Sequence, residues 1–204
     1  MSRVLKKGDR GSAVKNLQIR LNVFPDGIFG DLTEEAVKDF QAKYGLEADG
    51  IVGEKTISAM AGVERLMAEG RNITELIVHC TATREGNDYT VADIRQWHKQ
   101  RGFSDVGYHF IVHLDGRVEP GRDVFIAGAH CVGHNTKSIG ICYVGGLDAE
   151  GKPKDTRTNE QRIALKTLLV SLKIIYPGAK IYGHCDFAAK ACPCFDARKE
   201  YQEL

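Results

Sequence analysis

The sequence predicts two folded parts: a small all-α domain of three helices, then a larger α/β domain with a central mixed sheet flanked by helices. Three observations predict this. The length of 204 residues suits one small domain plus one of medium size. An internal repeat, Asp-Gly-Ile-x-Gly-x-x-Thr, starts at Asp26 and again at Asp49, each copy followed by a helical pattern. Beyond residue 73 the pattern changes to short apolar strands alternating with capped helices, the signature of a layered α/β domain.

The elements follow in order. "SAVKNLQIRL" places Val14, Leu17, Ile19 and Leu21 on a helix that Ser12 is expected to cap. Each Asp-Gly of the repeat is a turn signal, and Thr33 and Thr56 are expected to cap the helices that follow. Ala36, Val37, Phe40 and Gln41 form the helical face after Thr33. The three-helix domain is read as residues 1–62, and 63–72 as a partly helical linker with a break at Gly70. The larger domain spans 73–204. "ITELIVHC" reads as a buried strand ending at His79. "TVADIRQWHKQRG" reads as a helix capped by Thr90 and Asp93, with Val91, Ile94 and Trp97 inward. "VGYHFIVHLDGRVEPG" is a hairpin turning at Asp115-Gly116, and "SIGICYVGG" a buried strand. "TNEQRIALKTLLVSLKIIYP" is a long helix with Thr158 and Gln161 as its capping box and Pro177 past its end. "AKIYGH" is a strand ending at His184.

Composition sets limits. The chain is 43% hydrophobic and 27% charged, with net charge +1, so no general attraction to nucleic acid or to an anionic membrane is expected. No apolar run reaches signal-peptide or membrane-span length, and "LLVSLKII" is short and contains Lys173. A cytoplasmic site of synthesis and storage is the expectation. The six cysteines are read as reduced thiols, most of them small core residues.

Two predicted strands end in histidine, His79 and His184, and the segment carrying Cys192 follows closely. Two imidazoles and one thiolate form a zinc set, and three protein ligands leave a fourth position for water. With seven histidines and six cysteines in the chain, other pairings remain open on residue type alone. His109 adjoins Tyr108 on a strand, so the two point to opposite faces. His98 is read as partly exposed, and His113 and His134 as solvated beside turns.

"GDRGSAVKNLQIRL", "DGIFGDLTEEAVKDFQ" and "ADGIVGEKTISAM" resemble the peptidoglycan-binding domain attached to cell-wall hydrolases, with a shorter loop before the first Asp-Gly turn. "LIVHCTAT", "IRQWHKQRG", "DVGYHFIVHLDGRVEPGRD", "NTKSIGICYVGG" and "GHCDFAAKACPCFD" resemble the zinc-dependent N-acetylmuramoyl-L-alanine amidases of the phage-lysozyme type, relatives of the peptidoglycan recognition proteins. The resemblance implies one Zn2+ per chain on His79, His184 and Cys192. It also implies Tyr108 and Lys190 as the non-ligand catalytic pair, their division of labour left open, and His130 as a substrate-groove residue. Cys194 departs from the family pattern and is read as inert; Cys80 and Cys185 are read as packing, and Asn135 and Ser138 as fixing a turn. The implied partner is bacterial peptidoglycan. The implied protein is a monomeric phage or prophage endolysin held in the host cytoplasm before lysis, with no nucleic-acid or membrane partner. Rival readings are a non-catalytic wall receptor, a zinc peptidase acting within the stem peptide, and a polymerase-binding inhibitor.

Overall fold

The computed structural model describes residues 4–67 and 71–204, and the chain forms two compact units, Met1–Arg71 and Asn72–Leu204. In the first unit α1 (Ser12–Arg20), α2 (Asp31–Lys43) and α3 (Glu54–Met67) pack around Val14, Leu17, Phe29, Val37, Val52 and Met60. The helix α3 runs on to Met67; the break expected at Gly70 lies outside the described residues.

The helix starts differ from expectation. Gly11 and Gly30 are the N-caps of α1 and α2, neither with a side-chain cap, and Ser12 and Thr33 already lie inside the helices. Thr33 is buried because its hydroxyl serves the repeat instead. Gln18 Nε2 donates to Thr33 Oγ1, Asp26 Oδ1 and the Ile28 carbonyl at 2.9, 2.7 and 3.0 Å, while Gln18 Oε1 accepts from Gly27 N at 2.8 Å. The second copy repeats this network: Gln41 Nε2 reaches Thr56 Oγ1, Asp49 Oδ1 and the Ile51 carbonyl at 3.1, 2.7 and 3.0 Å, and Gly50 N reaches Gln41 Oε1 at 2.9 Å. Gly27 and Gly50 adopt φ of 77° and 75°, where a side chain is strained. The repeat is thus two polar bolts, each fastening a left-handed turn to the helix before it.

The second unit holds a five-stranded sheet in the order β4-β3-β5-β1-β7. Its strands are β1 (Glu75–Cys80), β3 (Phe110–Val112), β4 (Val118–Pro120), β5 (Ser138–Tyr143) and β7 (Lys180–Gly183). The pairs β1–β5, β1–β7 and β3–β5 are parallel and β3–β4 is an antiparallel hairpin, so the sheet is mixed. A short parallel pair joins β2 (Thr83–Arg84) to β6 (Gly146–Leu147). Both β1 and β5 are buried at every position, as expected for central parallel strands.

Helix α4 (Val91–Gln100) carries the expected capping box of Thr90 and Asp93, and α5 (Asn159–Ile175) that of Thr158 and Gln161. Leu165, Leu168, Leu169 and Leu172 of α5 are fully buried, each contributing about 1.5–3 kcal/mol by transfer from water. Gln161 Nε2 also donates to the Val112 and Val144 carbonyls at 3.1 and 2.9 Å, pinning the start of α5 to the ends of β3 and β5. Helix α6 (Ala197–Glu200) closes the unit. Among the described residues no helix is long and apolar enough to cross a membrane.

Three histidines differ from their sequence reading. His98 is buried, because it continues the inward stripe of Val91 and Ile94; its Nδ1 accepts from Gly107 N at 2.8 Å. His113 is fully buried between Asp88 and Glu119, its ring nitrogens 3.0 and 2.9 Å from their carboxylates. His134 is partly buried, with Nδ1 2.7 Å from Glu75 Oε2 and its ring against Phe187 at 3.8 Å. In each case carboxylate, backbone or aromatic partners from distant sequence replace water.

Replacing Gln41 with Ala strands the Gly50 N–H and the Ile51 carbonyl. We expect a loss of about 2–3 kcal/mol from the first unit, read as an earlier first transition in urea unfolding of the full chain followed by fluorescence of its tyrosines.

Candidate metal centre

Sheet register builds the centre. Val78 pairs with Gly183, so His79 near the end of β1 and His184 just past β7 emerge side by side, their rings 4.6 Å apart. His184 opens a 3-10 turn, His184–Asp186, instead of extending the strand. Strand alternation therefore stops there, and Cys185, expected to pack inward, is exposed.

The third group arrives on the loop after that turn. Cys185 N donates to the Cys192 carbonyl at 2.7 Å, and Tyr143 Oη donates to the Pro193 carbonyl at 2.7 Å. Cys192 Sγ then lies 3.8 Å from His79 Nδ1 and accepts from Cys80 N at 3.2 Å. Ligand atoms of His79, His184 and Cys192 all lie within 4.8 Å of one another, the metal-capable group found among the described residues. Tetrahedral zinc with bonds of about 2.0 Å to nitrogen and 2.3 Å to sulfur sets its ligands about 3.5 Å apart, so the donor set and its spacing fit that ion.

Protonation states suit this use. Burial first, then the nearby His130, His184 and Lys190, hold the His79 imidazolium well below its usual range. Burial, then Lys190, lower His184. Metal ligation requires such neutral imidazoles. A polar chain runs behind His79. Ser138 Oγ donates to the His134 carbonyl at 2.7 Å, and His130 Nε2 lies 3.3 Å from Ser138 Oγ. His130 Nδ1 lies 3.0 Å from His79 Nε2. His79 Nδ1, on the other side of the ring, faces Cys192; the tautomer with its proton on Nε2 is the one that offers Nδ1 to a metal.

The His130 backbone is held and its ring is given room. Its backbone N–H and that of Cys131 donate to Asn135 Oδ1 at 2.8 and 2.9 Å. A Cβ on Gly140 would stand 2.5 Å from His130 Cδ2, so glycine on β5 makes room for the imidazole.

Tyr108 lies beside the centre, its ring 5.1 Å from that of His79. Burial, then the neighbouring Cys142 and Cys192 thiols, push its phenol well above the usual range, so it stays protonated. Tyr108, His130, Lys190, His184 and Cys192 all line one cavity of about 410 Å³. His98, Arg101 and Phe103 form another part of its wall; the ring of His98 stacks on Phe103 at 5.1 Å. Sequence reasoning missed His98, although its spacing from Val91 and Ile94 carried the signal.

The loop bearing Cys192 has a second anchor. The Arg157 guanidinium is buried, stacks over Phe195 at 3.2 Å, and bonds both oxygens of Glu200 at 2.8 and 2.7 Å and both of Asp155 at 2.9 Å. Burial alone raises Asp155 and Glu200, but the hydrogen bonds and the charge of Arg157, with smaller contributions from other neighbours, together outweigh it and hold both carboxyls below their usual range.

An open cavity with a metal-capable group, a protonated phenol and a lysine thus lies at the ends of parallel strands, where α/β domains carry their ligand sites. Residues 69–195 match the family model for N-acetylmuramoyl-L-alanine amidase, and residues 10–60 match that for a putative peptidoglycan binding domain. The chain belongs to the N-acetylmuramoyl-L-alanine amidase family. The endolysin of Klebsiella phage KP32 is 48% identical over 130 residues, 64% of this chain and 86% of the relative. The endolysin of Escherichia phage T7 is 45% identical over 140 residues, 68% and 93% of the two chains. Among solved structures, the N-acetylmuramoyl-L-alanine amidase LysC from Clostridium intestinale is 29% identical with a TM-score of 0.55, covering 64% of this chain and 82% of its own. Drosophila PGRP-LB is 26% identical with a TM-score of 0.51, over 60% and 76%.

The Arg157 clamp carries a pH signature. The folded-state values of Asp155 and Glu200 lie below their ordinary values of 3.8 and 4.5, so the unfolded chain takes up protons first as pH falls. Their contribution is complete above pH 4.5 and is lost as pH drops through the lower folded values. We expect the melting temperature to fall steeply from about pH 5 to about pH 3. Arg157→Met should melt lower at neutral pH and show a flatter profile over that range.

Proposed function

We propose that the second unit hydrolyses the amide joining the lactyl group of N-acetylmuramic acid to L-alanine, using one zinc ion held by His79, His184 and Cys192. The observation that supports it most is that two members of that ligand group, His184 and Cys192, line one cavity with Tyr108 and Lys190, while His79 stands directly behind them. Zinc bound there would supply a Lewis acid and lower the pKa of a bound water to about 7.

The remaining work falls to side chains. Lys190 is exposed on the cavity wall two residues before Cys192, and its ammonium stabilises the oxyanion that develops on the substrate carbonyl. Tyr108, kept as a phenol, holds its proton ready for the departing amide nitrogen. His130 is a positioning residue: it fixes the His79 tautomer that offers Nδ1 to the metal. The groove role expected for it stands beside this contact, since His130 also lines the cavity.

The first unit is the wall anchor. Binding peptidoglycan there raises the local concentration of scissile bonds around the second unit without adding contacts at the cut. With phage endolysins 45–48% identical over 130 to 140 residues, we read the chain as an endolysin-like enzyme that accumulates in the host cytoplasm and acts on the wall as a monomer.

Two sets of variants test this. Wild type should carry one zinc per chain and release peptides with L-alanine at the amino terminus from purified peptidoglycan, while Cys192→Ser loses both zinc and cleavage. Lys190→Ala should keep its zinc and lose about 10²–10³ in kcat. New amino termini within the stem peptide, or zinc binding without cleavage, would replace the amidase reading by the peptidase or the receptor. His130→Ala should weaken zinc binding by about 10–100-fold in competition with a chromogenic chelator. His130→Asn, whose amide oxygen takes the place of Nδ1, should recover most of that loss.

A further inference from the structure

Two sulfurs at the edge of the centre have no part in the ligand group. Cys80, buried on β1 next to His79, has its Sγ 3.9 Å from Sγ of Cys194, two residues past Cys192. Cys192 Sγ faces His79 Nδ1, accepts the Cys80 N–H and also lies against the Cys80 thiol, so as the metal-facing sulfur it is the competitor that the test below must separate from Cys194. Cys194 holds a left-handed backbone, φ 68°, and its Sγ donates to the Gly146 carbonyl at 3.1 Å. Gly146 itself sits at φ 100°. A Cβ on it would stand 2.5 Å from Cys80 Sγ and 2.8 Å from Cys80 Cβ. The glycine therefore keeps open the space in which the two thiols face each other.

We propose that Cys80 and Cys194 are a disulfide-forming pair, oxidised by a glutathione-type disulfide, and that the bond fastens the strand carrying His79 to the loop carrying Cys192. Bond formation requires the sulfurs to approach from 3.9 Å to about 2.05 Å. One cysteine, as thiolate, attacks oxidised glutathione and releases the first glutathione thiolate. The second cysteine then attacks the protein sulfur of the mixed disulfide and releases the second. Two S–H bonds and one S–S bond are consumed; one protein S–S bond and two molecules of reduced glutathione are formed. The ligand thiol takes no part, so the metal group survives the reaction.

The consequence is a site whose two ligand-bearing segments are joined by covalent bond as well as by metal. Reducing cytoplasm keeps the pair as thiols, and an oxidising exterior keeps it bonded. That physiological setting rests on the proposed action at the wall; the bond itself does not.

The test uses the full chain loaded with zinc. It is incubated with excess oxidised glutathione, alkylated, digested without reduction and mapped by mass spectrometry, with zinc counted before and after. The expected result is one crosslinked peptide joining Cys80 to Cys194, loss of two of the six free thiols, and full retention of zinc. Zinc transfer to EDTA should then slow by about tenfold, and dithiothreitol should restore the original rate. Cys194→Ser should show neither the crosslink nor the slowing; the wild-type map decides the matter even if that variant folds poorly. Six free thiols at equilibrium, or a bridge containing Cys192 with release of zinc, would overturn the proposal. A chain that binds no zinc yet forms the Cys80–Cys194 crosslink would sink the functional reading and leave the pair standing.

Discussion

The parallel register of β1 against β7 is the constraint on which the site depends. Pairing Val78 with Gly183 places His79 and His184 at the same end of neighbouring strands. A slip of one residue would turn every side chain of β1 to the opposite face, separating the two imidazoles and exchanging the side chains packed on the two buried faces of the strand. Burial of Leu76, Ile77 and Val78 at zero exposure therefore fixes the chemistry as firmly as any polar contact. Core packing and ligand placement are enforced by one hydrogen-bonded ladder.

The third ligand has no such ladder, and the structure compensates with local contacts of several kinds. Tyr143 reaches from β5 to the Pro193 carbonyl, Cys185 N holds the Cys192 carbonyl, and Arg157 stacks on Phe195 while gripping Asp155 and Glu200. A buried guanidinium is costly unless its donors are satisfied; here two carboxylates and the Tyr201 hydroxyl satisfy them. The loop is thus tied to β5, to the turn after β7 and to α6, while one side stays open to the cavity. Strands give precision where ligands must not move, and a tethered loop leaves room for substrate.

Much of this was legible in the sequence, for identifiable reasons. The buried strands, the two capping boxes and the hairpin at Asp115-Gly116 are local patterns whose cause lies within a few residues. The strand-end positions of His79 and His184 follow from the same reading, and family resemblance narrowed the thiol to Cys192. What escaped was set by partners far apart in the chain. His113 reads as a turn residue until Asp88 and Glu119 close on it, and Thr33 reads as a helix cap until Gln18 takes its hydroxyl. Cys185 was misplaced because alternation was carried one residue too far, into a 3-10 turn. His98 alone was a local error, since the inward stripe through Val91 and Ile94 already reached it.

The polar chain behind His79 shows why a metal site is more than its ligands. An imidazole with both nitrogens free to titrate would divide its population between tautomers, and only one offers Nδ1. Ser138 Oγ donates to a main-chain carbonyl, and from it the polar chain runs through His130 to His79. The His130 backbone N–H is held by Asn135, and the missing side chain of Gly140 leaves room for its ring. A backbone group is thus linked to His79 through two side chains. A carboxylate in the place of His130 would orient His79 equally well, but its charge would lower the electrophilicity of the ion and draw the Lys190 ammonium inward. A histidine there sets no carboxylate charge against Lys190 on the cavity wall that the two share.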